Sequence, residues 1–171
     1  MSRFIRAALI AAATATVSPA LAADDPSLLT VGAGLWDTNF NYDDQALEVR
    51  LEYRHGAGLF ETDSFRGLKP TIGVMGNSLG GKFAYAGFSV PFFLDDAQRW
   101  EFTPSGAVGA YSRGNGLELG GVFEFHLGLM LNYAVTDGSR VGLYITHISN
   151  AYINGYNPGE NSALLTWSFA L

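Results

Sequence analysis

Three side chains near the C-terminal end have the types and spacing for ester chemistry. His147 and Ser149 are separated by one residue in Tyr144-Ile-Thr-His147-Ile-Ser149-Asn150-Ala151, and Asn161 follows after a ten-residue loop. If 139–150 is a strand, side chains two apart share a face, which sets His147 and Ser149 roughly 6–7 Å apart along the backbone. A histidine leaning along the strand can take the proton from that serine and make it a nucleophile. An asparagine oxygen facing the ring can accept its N–H and fix the tautomer. It lacks the charge with which a carboxylate stabilises imidazolium.

The elements that must position these groups are strands. Leu47-Glu48-Val49-Arg50-Leu51-Glu52-Tyr53-Arg54 alternates without a break, apolar at odd positions and charged at even ones. A helix would scatter those charges around its circumference, whereas a strand gathers all four on one face. The same test yields eight segments, at about 27–38, 45–55, 67–78, 82–93, 99–111, 117–133, 139–150 and 161–171. Within 117–133, Leu119, Phe123, Phe125, Leu127, Leu129, Leu131 and Tyr133 are expected outward, with Glu118, Glu124 and His126 inward. The strand charges Glu48, Arg50, Glu52, Arg54, Lys69, Glu101, Glu118, Glu124 and Arg140 all fall on the inward parity. Asp37 is the exception.

A β-sandwich with one solvated face would permit that pattern, but it would not need aromatic strand ends. Tyr53, Trp100, Phe102, Tyr133, Trp167 and Phe169 sit near strand termini, as an interfacial girdle requires. Segments of 10–13 residues, tilted, are long enough to cross a bilayer core, and closing the sheet removes its edges. The fold expected is therefore all-β, an eight-stranded antiparallel transmembrane β-barrel of the outer membrane. Val135-Thr136-Asp137-Gly138 is expected as a tight turn, and Asp95-Asp96-Ala97-Gln98 as a short connection. The linker at 56–66 is long for a turn on the side of the chain termini.

Export is expected from the first 22 residues. Arg3 and Arg6 form a basic start, Ala7 to Val17 a short apolar run, and Ala20-Leu21-Ala22 a small-residue cleavage site. Residues 23–171 then form a single barrel domain without cysteine, needing no disulfide in an oxidising compartment. Loss of Arg3 and Arg6 takes the net charge from −6 to −8, which argues against nucleic acid as a partner. No metal or cofactor is expected, since no His/Asp/Glu group has a persuasive ligand spacing.

On strand 139–150 the odd residues Val141, Leu143 and Ile145 are apolar, so His147 and Ser149 continue a lipid-facing face. On strand 161–171 the odd set Ala163, Leu165, Trp167, Phe169 and Leu171 does the same, making Asn161 outward and Glu160 inward. If the hairpin pairs Ser149 near Asn161, the three polar groups form one external patch across two strands. His126 reads as a hydrogen-bonding residue of the lumen and His55 as an interfacial one.

The run His147-Ile-Ser149-Asn150-Ala151, with Asn157-Pro158-Gly159 closing the loop, resembles the signature of the lipid A 3-O-deacylase (PagL-type, acyloxyacyl hydrolase) family. The resemblance implies an outer-membrane esterase acting on lipid A of lipopolysaccharide, releasing a 3-O-linked hydroxy fatty acid. It implies His147 as general base, Ser149 as nucleophile and Asn150 as a contributor to the oxyanion hole. The family's catalytic Glu lies twelve residues beyond the serine, where this chain has Asn161, with Glu160 one residue early. Either Asn161 orients the ring, as an Asn does in the similar arrangement of outer-membrane phospholipase A, or a bulge brings Glu160 round, or the motif persists with little activity. The alternatives to a deacylase are an outer-membrane phospholipase and a non-catalytic structural or adhesive barrel.

Overall fold

The protein is described here by a computed structural model covering residues 25–38 and 45–171. The expected export segment, 1–22, lies outside the described residues. The strands are β1 (Leu28–Trp36), β2 (Ala46–Arg54), β3 (Lys69–Asn77), β4 (Lys82–Ser89), the two-residue β5 (Phe92–Phe93), β6 (Trp100–Ser112), β7 (Phe123–Thr136), β8 (Ser139–Ser149) and β9 (Glu160–Ala170). All pairings are antiparallel between chain neighbours, β1 pairs with β9, and β4 pairs with β6, so eight long strands close a barrel. β5 is an extension laid against Glu101 and Phe102 at the rim.

Alternation decides which side of the wall each residue takes. Leu47, Val49, Leu51, Ile72, Val74, Leu127, Leu129, Leu143, Ile145 and Leu165 all lie exposed on the exterior. A continuous apolar belt of this extent is untenable in water and is what a bilayer requires. A Lys or Arg on that face would cost about 2–4 kcal/mol at mid-depth. Instead the charges are inside, where each needs a partner. Arg54 grips Glu101 with two hydrogen bonds of 2.7 and 3.2 Å, and Arg140 reaches the same carboxylate at 3.4 Å. Arg50 pairs with Glu48 at 2.7 Å and lies between the Tyr85 and Tyr144 rings, whose hydroxyls both donate to Glu52. A lumen cavity beside Glu52 and Tyr144 holds only about 10 Å³, with side chains packed around it.

The two ends differ. At the end where β1 starts and β9 finishes, Trp100 lies against Tyr133 and Trp167 against Phe169, forming the expected girdle. The long 55–68 linker finds its explanation there. It folds back through Leu59–Leu68 and Thr62–Phe65 bridges, and Arg66 and Lys69 tie it to Asp25. The Lys69 ammonium also donates to Glu61, which holds that carboxyl below its ordinary range. The tight turn at Asp137-Gly138 matches expectation.

The opposite, distal end is stoppered by Trp36, Met75, Phe83, Tyr111, Leu119 and Ile148. Two corrections arise here. The expected strand at 117–133 begins only at Phe123, because Gly120 takes a positive φ of 99° and its Cα approaches the Tyr156 carbonyl too closely for any side chain. Leu119 is consequently buried in the stopper and does not face lipid, and Glu118 is exposed and does not point inward. Asp37, expected outward, turns through a left-handed φ of 58° and is buried.

Candidate active site

β8 and β9 carry the three polar groups, and their register sets the geometry. His147 stands directly opposite Asn161, and Ile148 opposite Glu160. The pairing is therefore offset from the expected Ser149–Asn161 match. Ser149 is instead opposite Phe125 of β7. All three side chains keep the outward parity and are partly exposed, at the distal end of an apolar face.

Across the strand pair, His147 Nδ1 and Asn161 Oδ1 are 2.8 Å apart. An amide oxygen can only accept, so Nδ1 carries the proton and the Nε2 lone pair is available. Thr38 fixes Asn161 from the other side, its N–H and its hydroxyl both donating to the Asn161 carbonyl. The Ser149 hydroxyl makes no hydrogen bond among the described residues. It is not hydrogen-bonded to the imidazole, a condition common before substrate binds.

Gly159 makes room for the ring. It has a positive φ of 66°, and a Cβ there would stand 2.9 Å from His147 Cε1. The 150–159 loop reaches this point through left-handed residues at Ala151, Tyr152 and Gly155. Its tip exposes Tyr152, Ile153 and Tyr156, an apolar lip next to Ser149.

Two of the expected site residues sit elsewhere. Glu160 is on the inward parity and fully buried, accepting hydrogen bonds from the Asp37 N–H at 2.7 Å and from Ser162. No bulge turns it outward, since β9 is regular from its first residue, and it does not reach the imidazole. Asn150, expected at the oxyanion, is a pin for the loop. Its side chain is fully buried, with Nδ2 donating to the Leu119 and Tyr156 carbonyls at 2.6 and 2.9 Å, and its backbone N–H donates to Asn157 Oδ1. The placement of Glu160 follows from parity, because even residues on β9 point in, whereas Asn150 lies just past the end of β8.

Sequence reasoning missed the parts played by Gly159, Asn157 and Leu119. The Asn-Pro-Gly run was a visible turn signal, but its contact with the ring is a tertiary fact. His126 is in the lumen as expected, its Nε2 2.6 Å from Arg50 Nη1, and the exposed His55 contacts the Tyr53 hydroxyl. Among the described residues no group of three or more His, Cys, Asp or Glu is placed to hold a metal.

Comparison with known proteins adds a family. The model of the family described as lipid A 3-O-deacylase (PagL) matches residues 28–170. Among solved structures, the outer-membrane enzyme PagL superposes with a TM-score of 0.61 at 18% identity, covering 84% of this chain and 99% of that one. A de novo designed transmembrane β-barrel gives 0.61 at 10% identity, covering 89% and 100%. Neisserial surface protein A gives 0.51 at 10% identity, covering 85% and 96%. At such identities these structures speak for the fold alone. No curated protein matches.

Proposed function

This chain belongs to the lipid A 3-O-deacylase family and is an outer-membrane barrel, and from that premise we propose that it cleaves the 3-O-acyl ester of lipid A with Ser149 and His147 on its lipid-facing surface. The observation that carries this is the 2.8 Å contact between His147 and Asn161 on the outward face, beside an uncommitted serine hydroxyl. In this reading residues 1–22 direct export, and the distal end faces the outer leaflet.

Lipid A lies beside the barrel, its acyl chains against the apolar belt. Ser149 Oγ attacks the ester carbonyl carbon while His147 Nε2 takes the hydroxyl proton. The tetrahedral intermediate collapses, the C–O bond to the sugar breaks, and the imidazolium returns the proton to the departing sugar oxygen. Water, deprotonated by the same nitrogen, then attacks the acyl-serine and releases the hydroxy fatty acid. Asn161 holds the ring in the required tautomer throughout. Since the Asn150 side chain is committed to the loop, the developing oxyanion falls to backbone N–H groups just beyond it. Those of Ala151 and Tyr152 donate to no group among the described residues.

The test is incubation of the purified protein with lipopolysaccharide and, separately, with phospholipid, followed by mass spectrometry. A 3-hydroxy acid released from lipopolysaccharide alone supports the proposal. Fatty acid from phospholipid alone would make the protein a phospholipase, and none from either would leave a non-catalytic barrel.

A further inference from the structure

The distal end has very little positive charge. Every other Lys and Arg among the described residues lies in the lumen or at the opposite end, where β1 starts and β9 finishes. Only Lys82, at the start of β4, and Arg113, just after β6, stand at the distal rim. They are neighbours, because Lys82 pairs with Ser112, the residue before Arg113. Both line one open groove of about 680 Å³, whose floor is formed by apolar residues including Val74, Ala84 and Ala110. On a protein whose net charge is −6, this pairing of cations above an apolar wall is a local reversal of sign.

The backbone beside the two cations is fixed. The 78–81 and 113–116 turns next to them are joined by a hydrogen bond from Asn115 N–H to the Leu79 carbonyl at 2.8 Å. Gly114, at a φ of 59°, sits so close to the Gly80 backbone that a Cβ would stand 2.4 Å from its carbonyl carbon. Glu118 shares the groove and pairs with Arg113 at 3.5 Å. Both side chains are about half exposed, and such a pair exchanges readily for a stronger anionic partner.

We propose that the Lys82–Arg113 groove is a subsite for the phosphorylated sugar headgroup of the lipid substrate. The proposal rests on the deacylase reading. The groove calls for an amphiphile with an anionic head, since its cations top a lipid-facing wall. The strand carrying Ser149 is two to three strand spacings away, about 10–15 Å around the barrel, the scale of a disaccharide headgroup. Phosphate contacts there would select substrate and leave the chemical step alone.

The experiment uses bisphosphorylated lipid A and the same lipid stripped of phosphate, each in zwitterionic detergent micelles. Relative to the parent, Lys82→Gln/Arg113→Gln is expected to raise the half-saturating mole fraction of bisphosphorylated lipid about tenfold, with kcat unchanged. On the dephosphorylated lipid the two proteins should behave alike. Equal losses on both lipids, or no change on either, would overturn the subsite. Binding of the two lipids is also measured on a Ser149→Ala background, where turnover plays no part. A phosphate-dependent loss of binding there, with no hydrolysis by the parent, would sustain the subsite and overturn the deacylase reading.

Discussion

His126 and His147 occupy adjacent strands, pairing with Ile148 and Leu127 respectively, and one residue of parity gives them opposite surroundings. His126 is fully buried, its ring 4.5 Å from that of Tyr85 and its Nε2 against the Arg50 guanidinium. A guanidinium can only donate, so the nitrogen that could act as a base is already engaged. His147 is partly exposed, its proton-bearing nitrogen held by Asn161 and its other nitrogen uncommitted. The residue type is the same, but the inward copy is part of what holds the barrel together and the outward copy keeps a nitrogen available to take a proton. What separates structure from chemistry here is the side of a wall one strand thick.

The two histidines should differ most under substitution of the outer patch. Ser149→Ala or His147→Ala should lower lipid A hydrolysis by about a thousandfold or more, with thermal unfolding unchanged. Each is read by released hydroxy acid beside a melting curve in detergent. The inward counterpart should do the reverse. Glu101→Ala strands Arg54 and Arg140 without their shared carboxylate, and losing one partner of a buried pair costs about 3–5 kcal/mol. Urea unfolding should register that loss, while the folded fraction keeps its kcat.

Smaller effects are expected from the residues around the outer imidazole. Asn161→Ala should reduce kcat by about ten- to a hundredfold through loss of ring orientation, whereas Glu160→Gln should hydrolyse close to the parental rate because its carboxyl faces the lumen. Asn161→Asp would place a charge beside the ring that favours imidazolium. The acid limb of its pH–rate profile should therefore move to higher pH. Gly159→Ala should lower kcat by about tenfold, since its Cβ would press on His147 from a left-handed backbone costing about 1 kcal/mol. A split in which KM stays fixed while kcat falls would mark it as a positioning effect.

Much of this was legible in the sequence because a membrane wall enforces period two. A polar residue on the wrong parity faces lipid or crowds the lumen, so the alternation at 47–54 and 139–149 identified both faces. It also carried His147, Ser149 and Asn161 to the outside and Glu160 to the inside. What parity cannot read is where a face ends. Leu119 continues the apolar phase of β7 but belongs to the distal stopper, and an apolar side chain looks the same against lipid as against Trp36. Nor does parity set register across a long loop. The left-handed residues between Ala151 and Gly159 align Asn161 with His147 instead of Ser149. Asn150 lies beyond such reasoning because its partners, Leu119 and Tyr156, are fixed only by how two loops meet.

The proposed chemistry needs a reactive serine outside the barrel, made nucleophilic by the histidine two residues before it. An alkyl fluorophosphonate with a long chain, presented in detergent micelles, tests this directly through peptide mapping of the adduct. The expected result is a phosphonyl group on Ser149 that forms in the parent and in His126→Gln, and is lost in His147→Ala. Labelling of another serine, or undiminished labelling of Ser149 without His147, would contradict it.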